Sequence, residues 1–184
     1  MGASAVPLPT SLADVGPATW AAVLVVVVLA LLSTRTLRGG ALLHAQEEAR
    51  RPGEGRHSEP PVHATLALLP RTRGERHLFT VVGLTAGICE EWLYRGFFLA
   101  VLAAVAGGLP TIALVLVAGA AFGLAHAYQG PVGVLTTGVL GGVLAALYLQ
   151  TGSLLLPVLL HAAIDLRFQL VPGGALPATR PAIA

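Results

Sequence analysis

The sequence predicts an all-α fold, a polytopic transmembrane helical bundle of about five spans that encloses a polar intramembrane site. Two observations predict the bundle and a third predicts the site. Apolar residues make up 55% of the 184 and charged residues only 11%, whereas a soluble domain carries about 25% charged residues. From Leu78 to Val171 the chain is almost continuously apolar, cut only by turn signals. Within that run stand Glu90, Glu91, Arg95, His126, His161 and Asp165. A charge at the centre of a lipid-embedded helix costs on the order of 2.5–3.5 kcal/mol, so such groups face the bundle interior or a wet cavity. With few aromatics and 22 Gly, the packing material is the small-residue mixture that lets helices approach closely in lipid.

The elements follow in order. Residues 1–16 are Pro- and Ala-rich, carry only Asp14, and read as a flexible tail. Residues 17–34 form the first span, just long enough for roughly 30 Å of hydrocarbon. It is not read as a signal peptide: no basic residue precedes Trp20 to Leu32, and no small-x-small cleavage site follows. Residues 35–77 are an Arg-rich loop, beginning as a short surface helix. Its apolar piece, Val62 to Leu69, is too short to span and lies at the interface or re-enters. The core, residues 78–170, opens with a long or broken helix from Leu78 to Ala106, ended by Gly107-Gly108-Leu109-Pro110. Thr111 to Ala127, Val132 to Leu149 and Ser153 to about Leu170 follow, the last with Pro157 near its first turn, where a missing amide donor is cheapest. Residues 171–184 form a second flexible tail.

All eleven basic residues are Arg. Arg35, Arg38, Arg50, Arg51, Arg56, Arg71, Arg73 and Arg76 fall between the first apolar stretch and the second, which makes that loop cytoplasmic. The N-terminus is then outside, and Arg167 and Arg180 lie near the cytoplasmic end. Nucleic acid is excluded as a partner, because Glu47, Glu48, Glu54, Glu59 and Glu75 dilute the cluster and no aromatics interleave it. The single Cys89 allows no internal disulfide and reads as filler. Gly83 with Gly87, and Gly119 with Gly123, have the small-xxx-small spacing of close helix contacts.

Spacing divides the buried charges. Glu91 and Arg95 are four apart with the acid first, the favourable order for an ion pair. Glu90 is about 100° round the helix and is free to face something else. Two adjacent carboxylates repel, which suits one of them to acid or base work. His161 and Asp165 share a face at the same spacing, as do Phe122 and His126, whose aromatic walls the imidazole from lipid. The alternative for the whole set is a polar network that only fixes packing, an expensive choice where an apolar seam packs as well. Depth poses a problem, since Glu90 lies about 18 Å along its helix from Leu78 while His126 falls at the cytoplasmic end of its own. The two meet only if the first helix starts below the membrane surface, breaks near Glu90, or tilts.

Three motifs in order, Glu90-Glu91-Trp92-Leu93-Tyr94-Arg95, Phe122-Gly123-Leu124-Ala125-His126 and His161-Ala162-Ala163-Ile164-Asp165, resemble those of the CPBP family of intramembrane proteases. That family includes the CAAX prenyl endopeptidases and bacterial proteins associated with bacteriocin immunity. The resemblance covers roughly residues 75–170 and implies peptide-bond hydrolysis in a multi-pass bacterial plasma-membrane protein. It gives Glu90, aided by His126, the task of activating water. His161 and Asp165 would stabilise the oxyanion, and Arg95 would hold Glu91. If a metal is present, Glu90, His126 and His161 would be its ligands and zinc its identity; no cofactor is favoured, and there is no HExxH. The substrate would be a peptide or membrane protein, with or without an attached lipid, met among membrane lipids. Asp165 stands where the prenyl endopeptidases have Asn, so prenyl specificity does not carry over. The alternative function is a non-catalytic membrane adaptor or bacteriocin-immunity protein on the same fold. A proton-coupled transporter is disfavoured by the lack of paired inverted repeats.

Overall fold

The computed structural model describes residues 15–50 and 69–172. The expectations for both tails and for most of the Arg-rich loop lie outside those residues. Helix α1 spans Pro17–Arg50, and α2 spans Arg73–Glu91. Helix α2 continues through a π-helical segment, Trp92–Phe98, into α3, Leu99–Val105. Helices α4, α5 and α6 span Thr111–Ala125, Gly130–Thr151 and Leu155–Leu166, with a 3-10 turn over Arg167–Leu170. Counting α2 to α3 as one rod gives five helical rods among the described residues, with no strand.

Local chemistry explains the boundaries. Helix α1 runs on to Arg50 instead of ending at Thr34, as the sequence reading had it. Nothing between them breaks it: Gly39 and Gly40 weaken a helix by about 1 kcal/mol each, and good helix formers follow. Helix α2 starts on a capping box, in which Thr72 Oγ1 accepts the Glu75 amide at 3.2 Å and Glu75 Oε2 accepts the Thr72 amide at 3.3 Å. The Arg71 amide also donates to Glu75 Oε2, at 2.7 Å. These backbone donors, Arg71 first, hold the exposed Glu75 carboxyl below the ordinary carboxylate range. Helix α5 carries Pro131 in its first turn and stops at Gly152, whose φ of 62° is left-handed. Just before α6, Ser153 Oγ accepts the Leu155 amide at 3.2 Å.

Both glycine pairs serve close packing. A Cβ on Gly119 would lie 2.8 Å from the Gly138 carbonyl, and one on Gly123 only 2.5 Å from that of Val134. Helices α4 and α5 are therefore antiparallel and nearly touching at the backbone. A Cβ on Gly87 would stand 3.1 Å from the Ala162 amide nitrogen, which brings α2 and α6 together one turn before Glu91. Gly83 meets Asp165 and Leu166 further along, so this pair is antiparallel too.

Side chains tie the two ends of the bundle. At one end the Gly16 amide donates to Gln150 Oε1 at 3.4 Å. At the other, Arg76 donates to the carbonyls of Gln169 and Val171 at 2.6 and 2.9 Å. Arg71, Arg73, Arg76 and Arg167 lie at this second end, and Arg35 and Arg38 lie on the part of α1 that leads away from the first.

Two helical stretches, Pro17–Gly40 and Ala127–Thr151, are long and apolar enough to cross a membrane, with mean hydropathies of 2.2 and 2.0. Only 17% and 22% of their most apolar stretches are buried inside the molecule. The core helix of a soluble protein would be mostly buried, so this outward apolar surface is consistent with membrane association. Thr111–Ala125 is apolar but shorter.

Candidate functional site

The site lies in the half of the bundle nearest the arginine-bearing end, where α2, α4 and α6 meet. His126 is the residue at which α4 stops, and Asp165 is the last residue but one of α6. Helix α2 solves the depth problem by beginning early, at Arg73, with a polar first turn, so that Glu90 arrives level with His126.

The π-helical segment begins immediately after Glu91 and is defined by the Leu99 amide donating to the Tyr94 carbonyl, five residues back. In an α-helix, positions four apart rotate by about 40° at each step. The wider turn keeps Glu91, Arg95 and Leu99 on one buried face. Segments of this kind recur at functional sites.

Glu91 and Arg95 are fully buried, at 0% and 1% exposed. Arg95 Nη1 donates to Glu91 Oε1 at 2.8 Å, as the spacing predicts, and Nη2 donates to the Gly141 carbonyl at 3.0 Å. The same Glu91 oxygen accepts from His161 Nδ1 at 2.7 Å. A carboxylate only accepts, so Nδ1 carries the proton, and neutral His161 presents a bare Nε2 on its other side. His126 is set in the same way by a different group. Its backbone amide goes to Gly123, while its ring Nδ1 donates to the Phe122 carbonyl at 2.8 Å. That carbonyl cannot donate, so Nε2 is again the bare nitrogen.

Both bare nitrogens face Glu90. Its Oε2 is 3.8 Å from His126 Nε2 and 4.0 Å from His161 Nε2. Asp165 Oδ2 approaches His161 Nε2 at 3.7 Å. The Glu90 carboxylate is one-third exposed as a side chain, yet Oε2 itself is buried and without a hydrogen-bond partner. Acceptors therefore converge here with no donor among them. A donor placed between them would satisfy several at once.

Water fits this gap better than zinc. A water about 2.8 Å from each of two partners holds them ~4 Å apart or more. Two ligands of a tetrahedral zinc at about 2.05 Å stand only ~3.3 Å apart. As placed, Glu90, His126 and His161 are too widely spaced for the ion. No set of His, Cys, Asp and Glu among the described residues has metal-holding geometry.

Phe122 occupies the middle of the site at 1% exposure. Its ring centroid is 4.7 Å from that of His126 and 5.7 Å, edge-on, from that of His161. The aromatic thus contacts both imidazoles, where the spacing had suggested only one. The other outcomes are mixed. Cys89 is exposed on its helix. The π-helical segment, the Gly141 carbonyl and the Glu91–His161 bond were missed; the tandem Gly141-Gly142 was the one sequence hint of a close approach there.

A family model described as Type II CAAX prenyl endopeptidase Rce1-like matches residues 73–167. No curated protein matches the chain, and no solved structure does. The match begins with the first residue of α2 and ends just past Asp165, so it contains every group of the site.

Proposed function

The chain belongs to the Type II CAAX prenyl endopeptidase Rce1-like family, and from that premise we propose that it is an intramembrane endopeptidase in which Glu90 activates water. The observation that carries this reading is the convergence of Glu90 Oε2 with two bare imidazole nitrogens, 3.8 and 4.0 Å away, around a buried carboxylate oxygen that lacks a partner. The fold supports it, with a buried Glu91–His161 pair of the kind an active site uses.

In this mechanism a water bridges Glu90 and His126 Nε2. Glu90 removes its proton as the oxygen attacks the carbonyl carbon of the scissile peptide, which gives a tetrahedral oxyanion. His161, held between Glu91 and Asp165, takes up a proton at its bare Nε2 as the substrate enters and then donates from that nitrogen to the oxyanion. The proton on Glu90 then passes to the leaving nitrogen and the carbon–nitrogen bond breaks. The products are a new carboxylate and a new amine. Arg95 fixes Glu91, and Glu91 fixes the His161 tautomer, the orienting task a buried carboxylate performs in other hydrolases. Nothing supports a covalent route: Ser153 Oγ is engaged by the Leu155 amide and Cys89 faces outward.

We infer a multi-pass arrangement of about five spans, in a bacterial plasma membrane, with residues 35–77 cytoplasmic. The substrate is a peptide or membrane-protein segment presented at the cytoplasmic leaflet, with or without a lipid. Asp165 in place of Asn argues against assuming a prenyl group. Turnover of a peptide library by the purified protein tests the reading, and activity that survives both Glu90→Ala and His126→Ala would end it.

A further inference from the structure

Arg95 poses a problem that its hydrogen bonds do not solve. The guanidinium is 1% exposed; Nη1 and Nη2 have partners in Glu91 and Gly141, but Nε is buried with none. An arginine desolvated to this degree needs more compensation than one carboxylate oxygen shared with a histidine. The remaining contact is the face of Phe122, whose ring centroid lies 4.6 Å from Arg95 Cζ. Tyr94 is a weaker candidate at 6.0 Å.

We propose that Phe122 is a positioning residue, whose ring face holds the Arg95 guanidinium by a cation–π contact and through it sets Glu91 and His161. The reading of Phe122 as a wall between imidazole and lipid gives the ring only volume; the geometry gives it an electrostatic task. Its seat is built for one orientation. A Cβ on Gly141 would lie 2.8 Å from Phe122 Cβ, so glycine at that position both admits the ring and supplies the carbonyl for Arg95. Tyr94 packs edge-on against the ring, with centroids 5.0 Å apart and planes at 86°. The ring is thus locked between Gly141 and Tyr94 with one face to the cation. Displacement of Arg95 moves Glu91 Oε1, the oxygen that also accepts His161 Nδ1–H, and with it the tautomer and aim of His161 Nε2. The catalytic part of this inference rests on the proposed function; the cation–π part does not.

The test replaces Phe122 with 4-fluoro-, 3,5-difluoro- and 3,4,5-trifluorophenylalanine, which nearly preserve shape while draining the ring face of negative potential. Phe122→Leu serves as the packing control. The expected result is a stepwise fall in the folded-to-unfolded ratio, up to about 30-fold across the series, as for loss of a desolvated cation–π contact. Turnover number should fall in the same order at constant KM, and the His161 Nδ1–H proton resonance should shift with it. Stability unchanged by fluorine but lowered in Phe122→Leu would overturn the proposal and leave Phe122 a packing residue. Stepwise stability with unchanged turnover would overturn the positioning role. If the wild-type protein cleaves nothing, the proposed function fails, while the stability series still decides the cation–π contact.

Discussion

Glu90 and Glu91 are adjacent in sequence, yet their substitution by Gln should fail in opposite ways. Glu91 is fully buried and its Oε1 accepts two short bonds, from Arg95 at 2.8 Å and from His161 at 2.7 Å. Neutralising it leaves a buried guanidinium without its counter-charge, and breaking such a pair costs roughly 3–5 kcal/mol. That is a large share of the 5–15 kcal/mol that stabilises an ordinary domain. Glu90 is one-third exposed and its Oε2 bonds to nothing, so Glu90→Gln removes no interaction on which folding depends. It removes the base, and the loss of a general base lowers turnover by about 100-fold or more. The assay is melting temperature and turnover for both variants in one detergent. Glu90→Gln should melt like the wild type and be nearly inactive; Glu91→Gln should melt far lower. Full activity in Glu90→Gln, or a stable but dead Glu91→Gln, would refute this division of labour.

Other expectations test the surrounding structure. Gly141→Ala would press a methyl group 2.8 Å from Phe122 Cβ and should cost about 1–3 kcal/mol of stability, measurable as a lower melting temperature together with reduced turnover. A cysteine at Gly74, which has open space around it, should resist a membrane-impermeant thiol reagent in intact cells of a Cys89→Ala background; labelling without lysis would reverse the orientation. Because the separations at Glu90 fit water better than zinc, dialysis against a chelator should leave turnover unchanged, and a loss restored by added zinc would contradict that geometry. The lowered Glu75 carboxyl gives a capping box that is complete above the ordinary carboxylate range and is lost as pH falls through the lowered value. Amide protection factors at the start of α2, corrected for the intrinsic exchange rate, should fall over that window and show no such fall in Glu75→Gln.

What the sequence revealed was local, because helix geometry is local. Contacts four residues apart were legible: Glu91 to Arg95, His161 to Asp165, and the Phe122 ring against that of His126. The cost of charge in lipid then required the three motif helices to converge, and the glycine pairs marked where they would touch. Contacts between helices had no such signature. That His161 turns its Nδ1 to Glu91, and not to Asp165, depends on how far Gly87 lets α6 slide in against α2. The Gly141 carbonyl is a backbone atom, and any residue carries one. The π-helical segment was foreseen only as a possible break, since residue types do not encode a five-residue hydrogen bond. Helix α1 ran past its expected end because the change from apolar to polar at Thr34 alters the surroundings of a helix without breaking it.

The most direct test of water activation by Glu90 is isotope uptake during cleavage. Purified protein in liposomes would be given a membrane-peptide library in water enriched in oxygen-18, and the products weighed by mass spectrometry. The account predicts one heavy oxygen in the newly formed carboxylate of each cleaved peptide, and at least about 100-fold less product from Glu90→Gln. Cleavage that persists at the wild-type rate in Glu90→Gln, or no cleavage of any peptide by the wild-type protein, would contradict it.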